Sequence, residues 1–264
     1  MFKAMRNYCA GIYQSRYFWW NLTLADLRFK YRRSTLGILW SVFQPLAMTL
    51  LLSFIMGRFF KMPMHYLAPY IFIGMVTWEL LLSSMMTGCN ALINAESYIK
   101  LFTHPMSIYP LRSILAVFIN FLCGSVGAVG WALVAMPENF SWSYLALIPA
   151  GAIIFFWCWS AAIVCAFAGV RFVDLPQLLV IVMQMIWYAS PVFFPLDLFR
   201  GAKIGWLLNY NPVYHLLELL RQPMLHGSFP ALIHWVWSLG VMIVLMLLAM
   251  LAVRIWERRT IYYF

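Results

Sequence analysis

Charge is what this sequence has least of. Only 10% of its 264 residues are Asp, Glu, Lys or Arg, and eight of those are acidic, against about 25% charged in soluble domains. With 64% of positions hydrophobic, no soluble core could hide the apolar surface. Gly-x-x-x-x-Gly-Lys-Ser/Thr does not occur, which excludes a P-loop for nucleotide phosphates. His-Glu-x-x-His and Gly-x-Ser-x-Gly are missing too, the five histidines are scattered, and no carboxylate pair falls at one membrane depth. Neither an active site nor a metal site is expected, and lone histidines such as His215 and His226 read as polar surface residues. The five cysteines (Cys9, Cys89, Cys123, Cys158, Cys165) show no Cys-x-x-Cys spacing and four lie in apolar stretches, so no disulfide or metal framework is expected. No small-residue cleavage site precedes the first apolar run near residue 36, and no signal peptide is expected. The net charge of +10 raises nucleic acid as a partner. The basic residues sit at the ends of apolar runs and form no domain of their own, which points to a membrane instead.

What is present is a series of long apolar runs. Arg28, Lys30, Arg32 and Arg33 form a basic collar, and the next 24 residues, 34–57, carry no formal charge. About 20 apolar residues cross a bilayer core as a helix, and Lys and Arg beside a span are held on the cytoplasmic side. Spans are expected at 36–57, 67–93, 108–136, 145–169, 175–195 and 231–253, in one transmembrane domain covering 1–264. Inner segments then hold 13 basic residues, from Lys3 to Arg259, and outer ones hold five (Arg58, Lys61, Arg200, Lys203, Arg221). That split favours six spans with both termini in the cytoplasm. Gln44-Pro45 falls inside the first span and is expected to kink it. Gly124, Gly127, Ala128 and Gly130 in the third are expected to let helices approach closely.

Three non-spanning stretches carry pattern. Over 17–33, Trp20, Leu24, Leu27 and Tyr31 make one helical stripe with Arg28 and Arg32 off it. This predicts an amphipathic helix in the inner headgroup layer, the alternative being a plain basic lead-in. Thr23 with Asp26 has capping-box form, and Asp26 can pair with Lys30. Residues 94–105 are polar enough to leave the membrane, with Asn94 as N-cap, Glu96 in the first turn and Pro105 as the stop. Residues 197–230 form a longer outer segment. In it Asn211-Pro212 reads as N-cap and N1 of a helix, Gly227 as its stop, and Glu218 with Arg221 as an ion pair. That helix is too short and polar to span, and lies at the outer interface or dips back inward.

Aromatics are abundant, with 13 Trp, 14 Tyr and 21 Phe. An interfacial belt accounts for many of them. A passage with aromatic faces for sugar rings is the sharper reading, with Trp40, Phe43, Tyr70, Phe72, Trp78, Trp187 and Tyr188 as candidates. Glu79 sits near the middle of the second span. It either faces a wet channel as an acceptor for sugar hydroxyls or is a protonated packing residue.

These residues carry a family resemblance. The basic-aromatic run from Arg28 with Leu36-Gly37, Trp40 and Gln44-Pro45 resembles the start of the first span in ABC transporter permeases that export bacterial polysaccharides. Gly74 with Trp78, then Leu92-Ile93-Asn94 and His104-Pro105, fits the second span and its inner loop. Ser190-Pro-Val-Phe-Phe-Pro195 and Asn211-Pro-Val-Tyr-His-Leu-Leu-Glu218, with Arg221 and Gly227, look like the family's outer segment. The ordered set covers nearly the whole chain and is similar to the O-antigen and capsule exporter permeases of Gram-negative bacteria, with teichoic-acid permeases as cousins. The resemblance implies an all-α integral membrane protein of the inner membrane: six transmembrane helices, an N-terminal interface helix, a cytoplasmic coupling helix and short periplasmic helices before the last span. It implies a homodimer forming one channel, and two separate ATPase subunits that hold ATP and Mg, with no cofactor in this chain. The coupling surface would comprise Asn94, Glu96, Tyr98, Lys100, Leu101 and Phe102. A periplasmic gate would comprise Pro191, Phe193, Phe194, Asn211, Pro212, Tyr214, Glu218 and Arg221. The substrate would be a lipid-linked polysaccharide of O-antigen or capsule type. A permease for teichoic acid, or for a small lipid or drug, is the alternative within transport, and a membrane transferase is the rival class. Glu79 departs from the neutral residue expected beside Trp78.

Overall fold

A computed structural model describes residues 2–102, 104–201 and 205–260. The described residues form helices and connecting turns, with no strand among them. In chain order these are α1 (Phe2–Gln14), α2 (Arg16–Tyr31), α3 (Trp40–Phe60), α4 (Met64–Asn90), α5 (Glu96–Leu101) and α6 (Ile108–Ala135). They continue with α7 (Leu147–Gly169), α8 (Leu175–Ala189), α9 (Leu196–Gly201), α10 (Gly205–Tyr210), α11 (Pro212–His226) and α12 (Leu232–Thr260). Five stretches, at Gly37–Phe60, Met64–Asn90, Ile108–Ala135, Trp142–Gly169 and Leu232–Glu257, are long and apolar enough to cross a membrane. The chain is an all-α, multi-pass membrane protein.

The fifth apolar run behaves differently. A span was expected over 175–195, but α8 has 15 residues and ends at Ala189. At 1.5 Å per residue that is about 22 Å of helix, short of a hydrocarbon core about 30 Å thick. The cause is local. Ser190 precedes Pro191, a position from which the α conformation is disfavoured, and it is extended (φ −111°, ψ 146°). Pro45, by contrast, is accommodated inside α3. The last helix runs beyond the expected 253 into the basic tail, ending at Thr260.

α4 is the axis of the bundle. Of its most apolar window, 78% is buried, against 17% for α3 and for α12. It packs on α3, α6 and α7, while α12 lies against α7 and α11. Glycines set the α4–α7 distance: a Cβ on Gly88 would stand 2.8 Å from Ala162 Cα. In α6, Gly124 fits against Val76 and Gly127 against Val42 and Phe72, as close packing requires, whereas Gly130 faces open space. The outward faces of α3, α8 and α12 leave large apolar side chains uncovered, among them Leu51, Phe54, Val180, Ile181, Ile243 and Leu247.

Candidate functional site

α1, α2 and α5 gather at one end of the bundle, around the 91–107 connection. The short helix there does not start as expected. A 3-10 turn, Ile93–Ala95, comes first, and Ala95, not Asn94, occupies the N-cap, without a side-chain bond. Asn94 is exposed. Glu96 and Lys100 pair with each other on the solvent side, an interaction worth about 0.3–0.5 kcal/mol. The outer face of this segment is apolar: Tyr98, Leu101 and Phe102 are 37%, 75% and 49% exposed. Three large side chains of this short segment are thus left uncovered by the rest of the described residues.

The support behind them is built from elements distant in sequence. Phe18 of α2 packs against Tyr98, Phe102 and His104, with ring centroids 4.7–6.1 Å away. Ser15 Oγ meets His104 Nδ1 at 3.2 Å. Glu257, near the end of α12, accepts from the Tyr8 hydroxyl at 2.9 Å and from the Met106 N–H at 2.8 Å. Burial and the neighbouring Glu257 carboxylate push the Tyr8 phenol well above its usual range, so it stays a donor. Asp26 does not pair with Lys30. It faces Arg112 of α6 at 3.6 Å, where the buried cation has greater need of an anion. Burial raises the Asp26 carboxyl and Arg112 opposes that rise. Thr23 is no cap either: it lies within α2 and donates to the Trp19 and Arg112 carbonyls.

On α2, Leu24, Leu27 and Tyr31 are half-buried as the stripe predicted, while Trp20 is exposed. Tyr31 donates to Asn120 Oδ1 of α6 at 2.9 Å. Arg28, Lys30, Arg32 and Arg33 are exposed, and Arg28 and Arg32 line a groove with Asn21 and Phe29.

The aromatic candidates divide in two. Tyr70, Phe72 and Trp78 are buried inside the protomer, and Trp187 is half-buried with its ring edge-to-face on Trp78 at 4.9 Å. Trp40, Phe43 and Tyr188 are about half exposed. Glu79 is exposed on α4 and accepts from the Ser83 hydroxyl at 2.8 Å.

At the opposite end, α11 packs on α4, and α9 and α10 lie in the connection that leads to it. Asn211 caps α11 as expected, accepting from the Val213 and Tyr214 N–H groups, with Pro212 at N1 and Gly227 left-handed (φ 60°) at the stop. Its amide also donates to the Ala189 carbonyl and Ser190 Oγ, which closes the end of α8. Pro191, Phe193 and Asn211 are buried, and Phe194, Pro212 and Tyr214 are partly so.

Arg221 is the centre of this end and does not pair with Glu218. It is 1% exposed. Its Nη1 donates to the Pro191 carbonyl at 2.6 Å, and its Nη2 donates to the Val192 and Tyr70 carbonyls at 2.7 and 3.1 Å. The guanidinium lies over the Tyr70 ring, 3.6 Å from its centroid. The Tyr70 hydroxyl in turn donates to the Pro191 and Phe194 carbonyls. The turn after α8 leaves carbonyls without helical partners, and a planar fork of donors satisfies several at once. Gly74 makes room: a Cβ there would lie 2.2 Å from the Val192 oxygen and 2.7 Å from Arg221 Nη2. His215 is also no surface residue. It is 3% exposed, and its Nε2 donates to the Asn209 carbonyl at 3.0 Å. Burial lowers its pKa and keeps it neutral, so its Nδ1 accepts from His234 Nδ1–H, 2.9 Å away.

Sequence reasoning missed Tyr8, Phe18 and Glu257 at the first end and the carbonyl partners of Arg221 at the other. Glu257 alone gave a signal, as a single carboxylate within the basic tail. Replacing Arg221 with Ala should destabilise the protein by about 3–5 kcal/mol, because the buried Val192 carbonyl loses its donor and the Pro191 and Tyr70 carbonyls lose one of theirs. Arg221→Lys should recover less than half of that, since one ammonium cannot reach three carbonyls and stack. Thermal unfolding in detergent measures both, and full stability of the Lys variant would contradict the assignment.

Comparison with known proteins agrees with this architecture. Residues 17–225 match the family model described as ABC-2 type transporter. A Klebsiella pneumoniae O-antigen export system permease protein, RfbA, is 25% identical over 209 residues, covering 78% of this chain and 80% of its own. A Myxococcus xanthus protein of the same name is 22% identical over 210 residues, covering 78% and 79%. The matched region runs from α2 through α11 and so contains the α5 surface and the Arg221 centre: this chain belongs to the ABC-2 type transporter family.

Proposed function

We propose that this chain is the permease subunit of an ATP-driven exporter that moves a lipid-linked polysaccharide, of O-antigen or capsule type, across the bacterial cytoplasmic membrane. The observation that carries the reading is the uncovered apolar surface of Tyr98, Leu101 and Phe102, held from behind by three other helices. A family of ATP-driven transporters needs a nucleotide site, and the sequence contains no P-loop. Work therefore enters through a surface, and this one has both the exposure and the rigid backing. Two ATPase subunits, carrying ATP and Mg, dock there, one on each copy of a homodimer. The end with α1, α2 and α5 faces the cytoplasm, in keeping with its basic collar, and α2 lies in the inner headgroup layer. The end with α9, α10 and α11 is the periplasmic gate. Lys203, in the segment expected outside, falls beyond the described residues.

The passage lies between the two copies. Trp40, Phe43, Tyr188 and Glu79, exposed on each protomer, line it, while Tyr70, Phe72, Trp78 and Trp187 hold those faces in place from within. The named function of the Klebsiella and Myxococcus relatives supports a glycan as cargo.

Leu101→Asp places a charge in the docking surface without touching the buried side of α5. It should abolish export and lower ATPase retention in a pull-down at least tenfold, with the amount of permease in the membrane unchanged. Unchanged retention and continued export would show that α5 is not the docking element. Glu79→Cys, in a background without the five native cysteines, should react with a membrane-impermeant thiol reagent in the resting or the ATP-driven complex. No reaction in either would remove Glu79 from the passage and leave it a packing residue.

A further inference from the structure

A cavity of about 550 Å³ opens between α4, α9, α11 and the start of α12, within the range of about 300–1,000 Å³ typical of small-molecule sites. His226 and Ser228 line it beside two carboxylates, Glu218 and Asp197, which can only accept. Glu218 lines it and is only 6% exposed, yet it has no cation among the described residues: Arg221, three residues on, is turned to carbonyls. Glu218 Oε2 accepts from the Gln222 amide at 3.2 Å, and no described residue donates to Oε1. The other end of Gln222 is also occupied, by the Ala231 N–H at 2.8 Å. His234 lines the cavity too, and donating from Nδ1 to His215 leaves its Nε2 as an acceptor with no donor among the described residues. Asp197 adds a second carboxylate to the wall. The rings of Tyr66 and Tyr70 lie near-parallel, 6.3 Å apart at 23°, and form an apolar side. The Tyr70 hydroxyl is bound to backbone carbonyls, so the cavity meets mainly its ring.

The Glu218 carboxylate oxygen and the His234 imidazole nitrogen open into the cavity with no donor among the described residues, so whatever fills the cavity must supply their protons. The occupant must bring several donors, must not be anionic, and must present a flat C–H face to the tyrosines. A phosphate or a uronate would be repelled by Glu218 and Asp197. We propose that this cavity binds an uncharged sugar unit, its hydroxyls donating to Glu218 and His234 and its ring face resting against Tyr66. The inference rests on the export reading for the source of that sugar, a residue of the polymer as it leaves, and on the cavity alone for its chemistry.

The test uses the full chain in lipid nanodiscs and saturation-transfer NMR with galactotriose, mannotriose and chitotriose as neutral probes and trigalacturonate as the acidic one. At least one neutral triose should bind, trigalacturonate should not, and Tyr66→Ala and Glu218→Gln should each weaken binding at least tenfold while the thermal midpoint stays within a few degrees. If no neutral triose binds, if trigalacturonate binds as well, or if both variants bind unchanged, the proposal is overturned. Export by the wild-type permease with its ATPase is scored separately. Export without sugar binding removes this site and leaves the transport reading standing, whereas sugar binding without export does the reverse.

Discussion

The arrangement at one end of this protein depends on a buried cation that has no anion among the described residues. Arg221 sits at 1% exposure and spends its donors on carbonyls of Tyr70, Pro191 and Val192. That makes one side chain the joint of three segments: the central helix α4, the turn that ends α8, and α11. A carboxylate partner would have fixed Arg221 to its own helix. Carbonyl partners fix it to the backbone of others, and they remove the cost of leaving those oxygens bare at membrane depth. Because Arg221 is engaged in this way, Glu218 is left unneutralised against a cavity. With the proposed sugar site, the structural and the binding roles of α11 divide between residues three apart.

The other end is tied by the same economy of charge. Glu257 is one of eight acidic residues, and its carboxylate joins α12 to Tyr8 of α1 and to the Met106 N–H just after α5. Asp26 joins α2 to Arg112 of α6. Tyr98, Leu101 and Phe102 thus project from a segment braced by both chain termini. A surface that receives a push must not yield locally, and a six-residue helix alone would yield. In the proposed complex, this bracing carries a displacement at α5 into α6 and α12. α12 reaches the far end through His234 and its contact with His215 of α11.

The features legible in the sequence were those set by neighbours along the chain. Length and hydropathy marked α3, α4, α6 and α7 within a few residues, and the start of α12, which runs seven residues past its expected end. Asn211, Pro212 and Gly227 marked both ends of α11, since cap chemistry is local. Local rules also misled where a distant group competed. Asp26 had Lys30 one turn away but pairs with Arg112, and Glu218 had Arg221 but loses it to carbonyls some 30 to 150 residues off in sequence. The early end of α8 was written in Ser190-Pro191, yet the continuing apolar run masked it. Which of the aromatics are buried could not be read at all. Tyr70 and Tyr188 look alike in composition, and only packing around α4 separates them.

As proposed, this chain moves a glycan only when a separate ATPase works through it. Reconstitution tests that most directly: the permease and its partner ATPase in vesicles, with a labelled lipid-linked polysaccharide on the ATPase side and an added glycosidase reporting which face holds the glycan. Transfer to the far face should require both proteins and hydrolysable ATP. Equal transfer by the permease alone, or sustained ATP hydrolysis with the glycan remaining where it began, would contradict it.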